Sequence, residues 1–140
     1  MKNMLGLGLD RSQFLPAVSL IKWTTTSNFG ITTPHLVLTG ARRNVVINVY
    51  IDNANDWTGD IDDYDIRNFT IVNETDSVTH NHADDKFSTH TSLAGFRVLQ
   101  EAGYNTESLV SAGSGDTIRF RFDLTLDGYE DVSLTNTITF

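Results

Sequence analysis

The chain has 140 residues, enough for one domain with a substantial core, and its 39% hydrophobic and 20% charged content is that of a globular protein. Cysteine is absent, which removes disulfide frameworks, thiol catalysis and cysteine-based zinc sites together. The net charge of −8 is uneven, with five basic groups against Asp10 in residues 1–50 and five against seventeen acids in residues 51–140, so nucleic acid is not an expected partner of the body.

The chain opens MKNMLGLGLDRSQ. Its apolar stretch is short, broken by Gly6 and Gly8 and closed by Asp10 and Arg11, so it is not read as a secretion signal. No apolar run approaches the ~18 residues of a membrane span. Residues 1–14 are read instead as a flexible or partner-docking arm, ahead of a single domain over 15–140. Leu5, Leu7, Leu9, Phe14 and Leu15 are too many apolar side chains to leave in water, and a neighbouring chain is the natural place to bury them.

The composition favours strands. Eighteen Thr and eleven Asn stand against only three Lys, four Glu and seven Ala, the residues that helices use on their solvent faces. In chain order, Ala17–Trp23 and His35–Thr39 are weaker strand candidates, with Pro16 and Pro34 where a strand's missing N–H is tolerated. Val45, Ile47, Val49 and Ile51 alternate with polar positions and form a clear strand. A long polar connection follows, then a weaker strand over Ile66–Val72. Ser92, Leu93, Phe96, Leu99 and Gly103 have the cap, spacing and stop of one short helix near 92–102.

The last two strands alternate strictly: Ile118, Phe120, Phe122, Leu124 and Leu126, then Val132, Leu134, Ile138 and Phe140. A two-residue loop at Asp127–Gly128 would set Phe122 opposite Ser133, apolar facing polar along the whole pair. The connection must therefore hold an odd number of residues, three or five, or a bulge, unless the two strands lie in different sheets. Five residues would pair Leu124 with Leu134 and Phe120 with Ile138. The expected fold is all-β, a single antiparallel sandwich of jelly-roll or immunoglobulin-like type with roughly seven to nine strands. Its core is expected from Val45, Ile47, Val49, Ile51, Phe69, Ile118, Phe120, Phe122, Leu124, Leu134 and Ile138.

Phosphate-loop, dinucleotide, nucleophile-elbow and His-Glu-x-x-His motifs are all missing, and the eighteen acids nominate no glycosidase pair. Two sequons, Asn68-Phe69-Thr70 and Asn73-Glu74-Thr75, are read as chance in a chain this rich in Asn and Thr. Two constellations remain. Asp52, Asp56, Asp60, Asp62, Asp63 and Asp65 place six carboxylates in fourteen residues with no basic residue between them. Calcium takes several oxygen ligands from a flexible loop, but Trp57 stands where an EF-hand needs glycine and no Glu closes the loop. A solvated acidic loop is the preferred reading, with Trp57 and Tyr64 as exposed aromatics that mark a contact surface.

The second constellation is His80-Asn81-His82, followed by Asp84, Asp85 and His90. On a strand, positions i and i+2 face the same way, so both imidazoles can reach one metal. The spacing resembles half of a cupin metal motif, without its downstream Glu and distant His. It also resembles the His-x-His tips of trimeric phage tail proteins, where three chains supply six imidazoles to one iron. Loop histidines without a metal role are the preferred reading, and no cofactor is expected. The whole profile looks like the small β-sandwich decoration or accessory proteins of viral particles. That resemblance implies a non-catalytic structural protein of a virion, docking through its arm and its acidic loop in self-association or a larger assembly. The alternatives are a calcium-assisted module for carbohydrate or a cell-surface ligand, for which a glycan is the partner, and a small cupin-like metalloenzyme using His80 and His82.

Overall fold

A computed structural model describes residues 19–23, 34–52, 61–93 and 96–140. Among them are nine strands: β1 (His35–Ala41), β2 (Asn44–Asp52), β3 (Tyr64–Asn73), β4 (Val78–His82), β5 (Asp85–Lys86), β6 (Thr89–Leu93), β7 (Phe96–Tyr104), β8 (Thr117–Leu126) and β9 (Val132–Thr139). A 3-10 turn covers Ile61–Asp63, and one short helix, α1, covers Thr106–Val110. The strands form two antiparallel sheets. One has the order β9-β8-β3-β4, with β5 also paired to β3, and the other has the order β1-β2-β7-β6. The fold is an all-β sandwich with its core between the sheets, as the alternation predicts.

The three clearest patterns become β2, β8 and β9. Along β8 the even positions from Ile118 to Leu126 are buried and the odd ones are not. Every expected core residue is buried except Ile138, which packs partly buried against the cluster. The β8–β9 pairing keeps the expected parity but not the five-residue register. Leu124 faces Val132, Phe122 faces Leu134 and Ile118 faces Ile138, two residues away from that alignment. The reason is a tight turn at the start of the connection. The Tyr129 N–H donates to the Leu126 carbonyl at 3.0 Å, and Gly128 takes φ 86°, which a type II turn requires at its third residue.

Two strands hide their phase behind bulges. In β3 the register against β8 slips between Arg67 and Thr70, and Asn68 sits at φ 50°, a left-handed conformation that Asn tolerates. Tyr64 and Ile66 point inward before the bulge, and Phe69, Ile71 and Asn73 after it. The Asn68 amide donates to Asp123 Oδ2 at 2.8 Å on the neighbouring strand, which pins the slip. In β7 the slip lies opposite Val45–Ile47, with Gly103 at φ 93° and its N–H bonded to Asn44 Oδ1. That slip turns Tyr104 inward. Phe69 and Tyr104 then meet edge to face at 5.3 Å in the middle of the core.

The helix expected near 92–102 is corrected. Residues 96–104 are strand β7, joined through residues 94–95 to β6 with Leu93 opposite Phe96. Leu93, Phe96 and Leu99 mimic helical spacing because β7 carries apolar side chains on both faces, with Leu99 on the inner face and Val98, also buried, on the opposite one. The helix that does form, α1, is too short to show a period. Asn105 caps it by accepting the Ser108 N–H at 3.1 Å, and the Arg42 carbonyl accepts the Thr106 N–H and hydroxyl. Of Ala17–Trp23, the described part is a single parallel bridge from Ile21 to Tyr129 rather than a regular strand.

Candidate functional site

Leu5, Leu7, Leu9 and Phe14 of the arm, and Asp56, Trp57 and Asp60 of the acidic loop, lie outside the described residues. Asp52 ends β2, and only its backbone is described. Tyr64 is corrected: it is not an exposed contact residue but one of the largest fully buried side chains, on the inner face of β3. Burial holds its phenol far above the usual pKa, against the opposing pull of Arg97. Its burial takes away one of the two aromatics expected to mark a contact surface.

The described end of the acidic loop joins a larger acidic surface that sequence distance conceals. Asp63 and Asp65 meet Asp84, Asp127 and Asp131 around a cleft of about 520 Å³, whose walls also include Leu20, Arg67 and Tyr129. Asp62 is exposed on the 3-10 turn beside it, and its carbonyl accepts from Lys86 Nζ at 2.8 Å. Asp65 is paired with both Lys86 and Arg67. Folding therefore brings in cations that the sequence of the loop lacks. The Arg67 pairing was readable as an i, i+2 contact on one strand face, whereas Lys86 arrives only through β5. Among the described residues no group of three or more His, Asp or Glu is arranged to hold a metal ion.

His80 and His82 do share one face of β4, as the spacing predicts, and their ring centroids lie 5.4 Å apart. That face is the inner one. His82 packs tilted against Phe69 at 4.8 Å and edge to face with Tyr104 at 5.4 Å, and its Nδ1 lies 2.8 Å from the Ala83 carbonyl. Tyr104 in turn donates to Asp85 Oδ2 at 2.7 Å, and burial followed by this bond raises its phenol pKa far above the usual value. The pair thus closes the edge of the aromatic core, with His82 held by its own chain's rings. The second sequon is also settled by geometry: Asn73 is fully buried with its amide bonded, so the folded chain offers no acceptor there.

Three carboxylates are held below the usual range: Asp65 by Lys86 and then Arg67, Asp116 by the Gly113 N–H and then Asn73, and Asp123 by Ser133 and then Asn68. A depressed folded pKa contributes stability above the unfolded value and loses it as pH falls through the folded one. The urea midpoint should therefore be flat from pH 7 to about 5 and fall below about pH 4. A midpoint constant down to pH 2.5 would contradict these pairings.

Among the described residues, no helix is long and apolar enough to cross a membrane. Comparison with models of protein families, with curated proteins and with solved structures finds no match to this chain.

Proposed function

We propose that this chain is a non-catalytic structural protein, a small accessory or decoration-type component of a viral particle or similar symmetric assembly, docking through its N-terminal arm and its acidic loop. The observation that carries the reading is the root of the arm. Ile21 is clamped to the domain by its N–H to the Gly128 carbonyl at 2.7 Å and by its carbonyl to the Glu130 N–H at 2.8 Å. Trp23 is anchored there too, with Nε1 donating to the Glu130 carbonyl and its ring 4.6 Å from Tyr129. Yet Leu20 and Ile21 are each 51% exposed, the large apolar side chains that stand out on the described surface. A firmly held root with apolar side chains turned outward suits a segment that continues onto another surface.

Charge supports the same reading. The arm carries Lys2 and Arg11 against Asp10, and the cleft beside Leu20 is walled by five aspartates. Full burial of the arm's leucines and phenylalanine, at ~1.5–3 kcal/mol each, is comparable to the ordering cost of a dozen residues. Docking is then favourable only when most of them engage at once, which makes attachment cooperative.

Deletion of residues 1–14 tests this. Light scattering after size exclusion should show an assembled full-length chain and a monomeric truncated one, with the strand spectrum and the melting transition nearly unchanged. A truncated chain that unfolds or melts much lower would place the arm in its own domain's core and end the docking reading.

A further inference from the structure

β1 and β6 are the edges of the four-stranded sheet, and β9 and β4 those of the other, where β5 continues the β4 side. β1 and β9 lean on each other, the Asn136 amide donating to the Leu36 carbonyl at 2.8 Å. β4 keeps an alternation, with His80 and His82 half-buried and Thr79 and Asn81 exposed. β6 is different. Thr89, His90, Thr91 and Ser92 are all exposed, so neither face of the strand is packed under another described element. Among the described residues it pairs with β7 on one side and with no strand on the other.

An edge strand turns a row of N–H and C=O groups outward, and proteins blunt such edges with charge, proline or cover. β6 carries neither charge nor proline. The chain does use charge on its other sheet, where Arg119 pairs with Glu74 and Arg121 with Asp123. Register identifies the outward groups of β6. Leu93 faces Phe96 across a two-residue loop, which makes it a hydrogen-bonded pair, and Thr91 opposite Val98 is the next. The N–H and C=O of His90 and Ser92 therefore point to the open edge. Ser88 adds no donor there, because its N–H donates to the Gln100 carbonyl at 3.0 Å.

We infer that β6 pairs antiparallel with β6 of a second copy of this chain, about a two-fold axis at Thr91, joining two four-stranded sheets into one of eight. The strand is self-complementary about that axis. His90 exchanges both backbone bonds with Ser92 of the second copy, Ser92 with its His90, and Thr91 meets Thr91, a favourable cross-strand pair. Charge favours a copy at this place. Residues 51–140 carry seventeen acids against five basic groups, so two copies repel over most of their surface, whereas β6 brings no charge to the contact. Exposure on both faces lets a second strand come alongside without meeting the opposite sheet. The inference goes beyond the docking reading and does not rest on it, because it uses no residue of the arm or the acidic loop. Pairing over five residues buries well under the ~1,200 Å² of a stable interface, so the contact is of the weak class. It leaves a dilute truncated chain monomeric and forms where chains are held close together.

The chain has no cysteine, so a single introduced thiol reports one contact. In the full chain, Thr91→Cys and Thr89→Cys place thiols on the same face of the same strand. In the inferred register the two copies of residue 91 lie ~4.5 Å apart between Cα atoms, within disulfide reach, and the two copies of residue 89 lie ~13 Å apart, beyond it. Under diamide oxidation of concentrated protein, Thr91→Cys should form a disulfide dimer at least tenfold faster than Thr89→Cys, read on non-reducing gels. Equal rates, a faster Thr89→Cys, or no dimer from either would overturn the inference. Adding Ser92→Pro to Thr91→Cys removes an outward N–H that the β7 ladder does not use. The strand spectrum should hold while cross-linking falls to the Thr89→Cys rate. Cross-linking that persists undiminished, or a strand spectrum lost because that N–H belongs to the β7 ladder, would overturn the register. Neither result bears on the deletion of residues 1–14, so the two readings fail separately.

Discussion

Phe122→Ala should lower stability by ~3–5 kcal/mol and move the urea midpoint down by about 2 M. Phe122 is fully buried near the middle of β8, which is hydrogen-bonded on both sides, to β9 and β3. Its ring lies 5.7 Å from Phe69 in an edge-to-face contact, and Phe69 also meets Phe120, Tyr104 and His82. Truncation there opens a cavity between two sheets that cannot close without moving paired strands, so the surroundings relax little. Phe69 reaches the cluster only because of the bulge at Asn68, and a partner lost at 122 weakens the hold on both. Chemical denaturation of the variant measures the effect, and an unchanged midpoint would remove β8 from the centre of the core.

How legible each strand was depends on whether its alternation is unbroken. β2, β8 and β9 keep one phase from end to end, so their inward residues could be named from sequence. β3 and β7 change phase at Asn68 and near Gly103, and a period-2 reading sees two half-strands of conflicting sign. That is why Tyr64 was read as a loop aromatic when it is in phase with Ile66 on the inner face. β7 imitated a helix for a separate reason, the apolar side chains on both of its faces. The candidate site was legible only in part, for a different reason. The His80 and His82 relation is local and follows from strand geometry, but its inward direction depends on Phe69 and Tyr104, delivered by two distant bulges. The acidic cleft draws Asp84 from one connection and Asp127 and Asp131 from another, two loops that sequence spacing never places beside Asp63 and Asp65.

Asn73→Leu should cost about 3 kcal/mol, a large effect for a polar residue, because it strands several partners at once. Asn73 is fully buried at the end of β3, where its Oδ1 accepts the Thr75 and Asp76 N–H groups at 3.1 Å and shapes the turn into β4. Its Nδ2 donates to the Val110 carbonyl at 3.1 Å and to Asp116 Oδ2 at 2.9 Å. One amide thus joins the β3–β4 turn, the end of α1 and the loop that leads into β8. Leucine fills similar space and supplies none of the bonds, so the buried Val110 end of the network loses its donor while the turn side can recover water. The conservative variant separates packing from bonding. Asn73→Asp keeps the acceptor but sets a new carboxylate against Asp116, so it should be worse at pH 7 than at pH 5. Its pKa is raised in the folded state by that neighbour, and the penalty is relieved as pH falls through the raised value. Urea denaturation of both variants at the two pH values checks this, and an Asn73→Asp penalty independent of pH would show that Asp116 is not its partner.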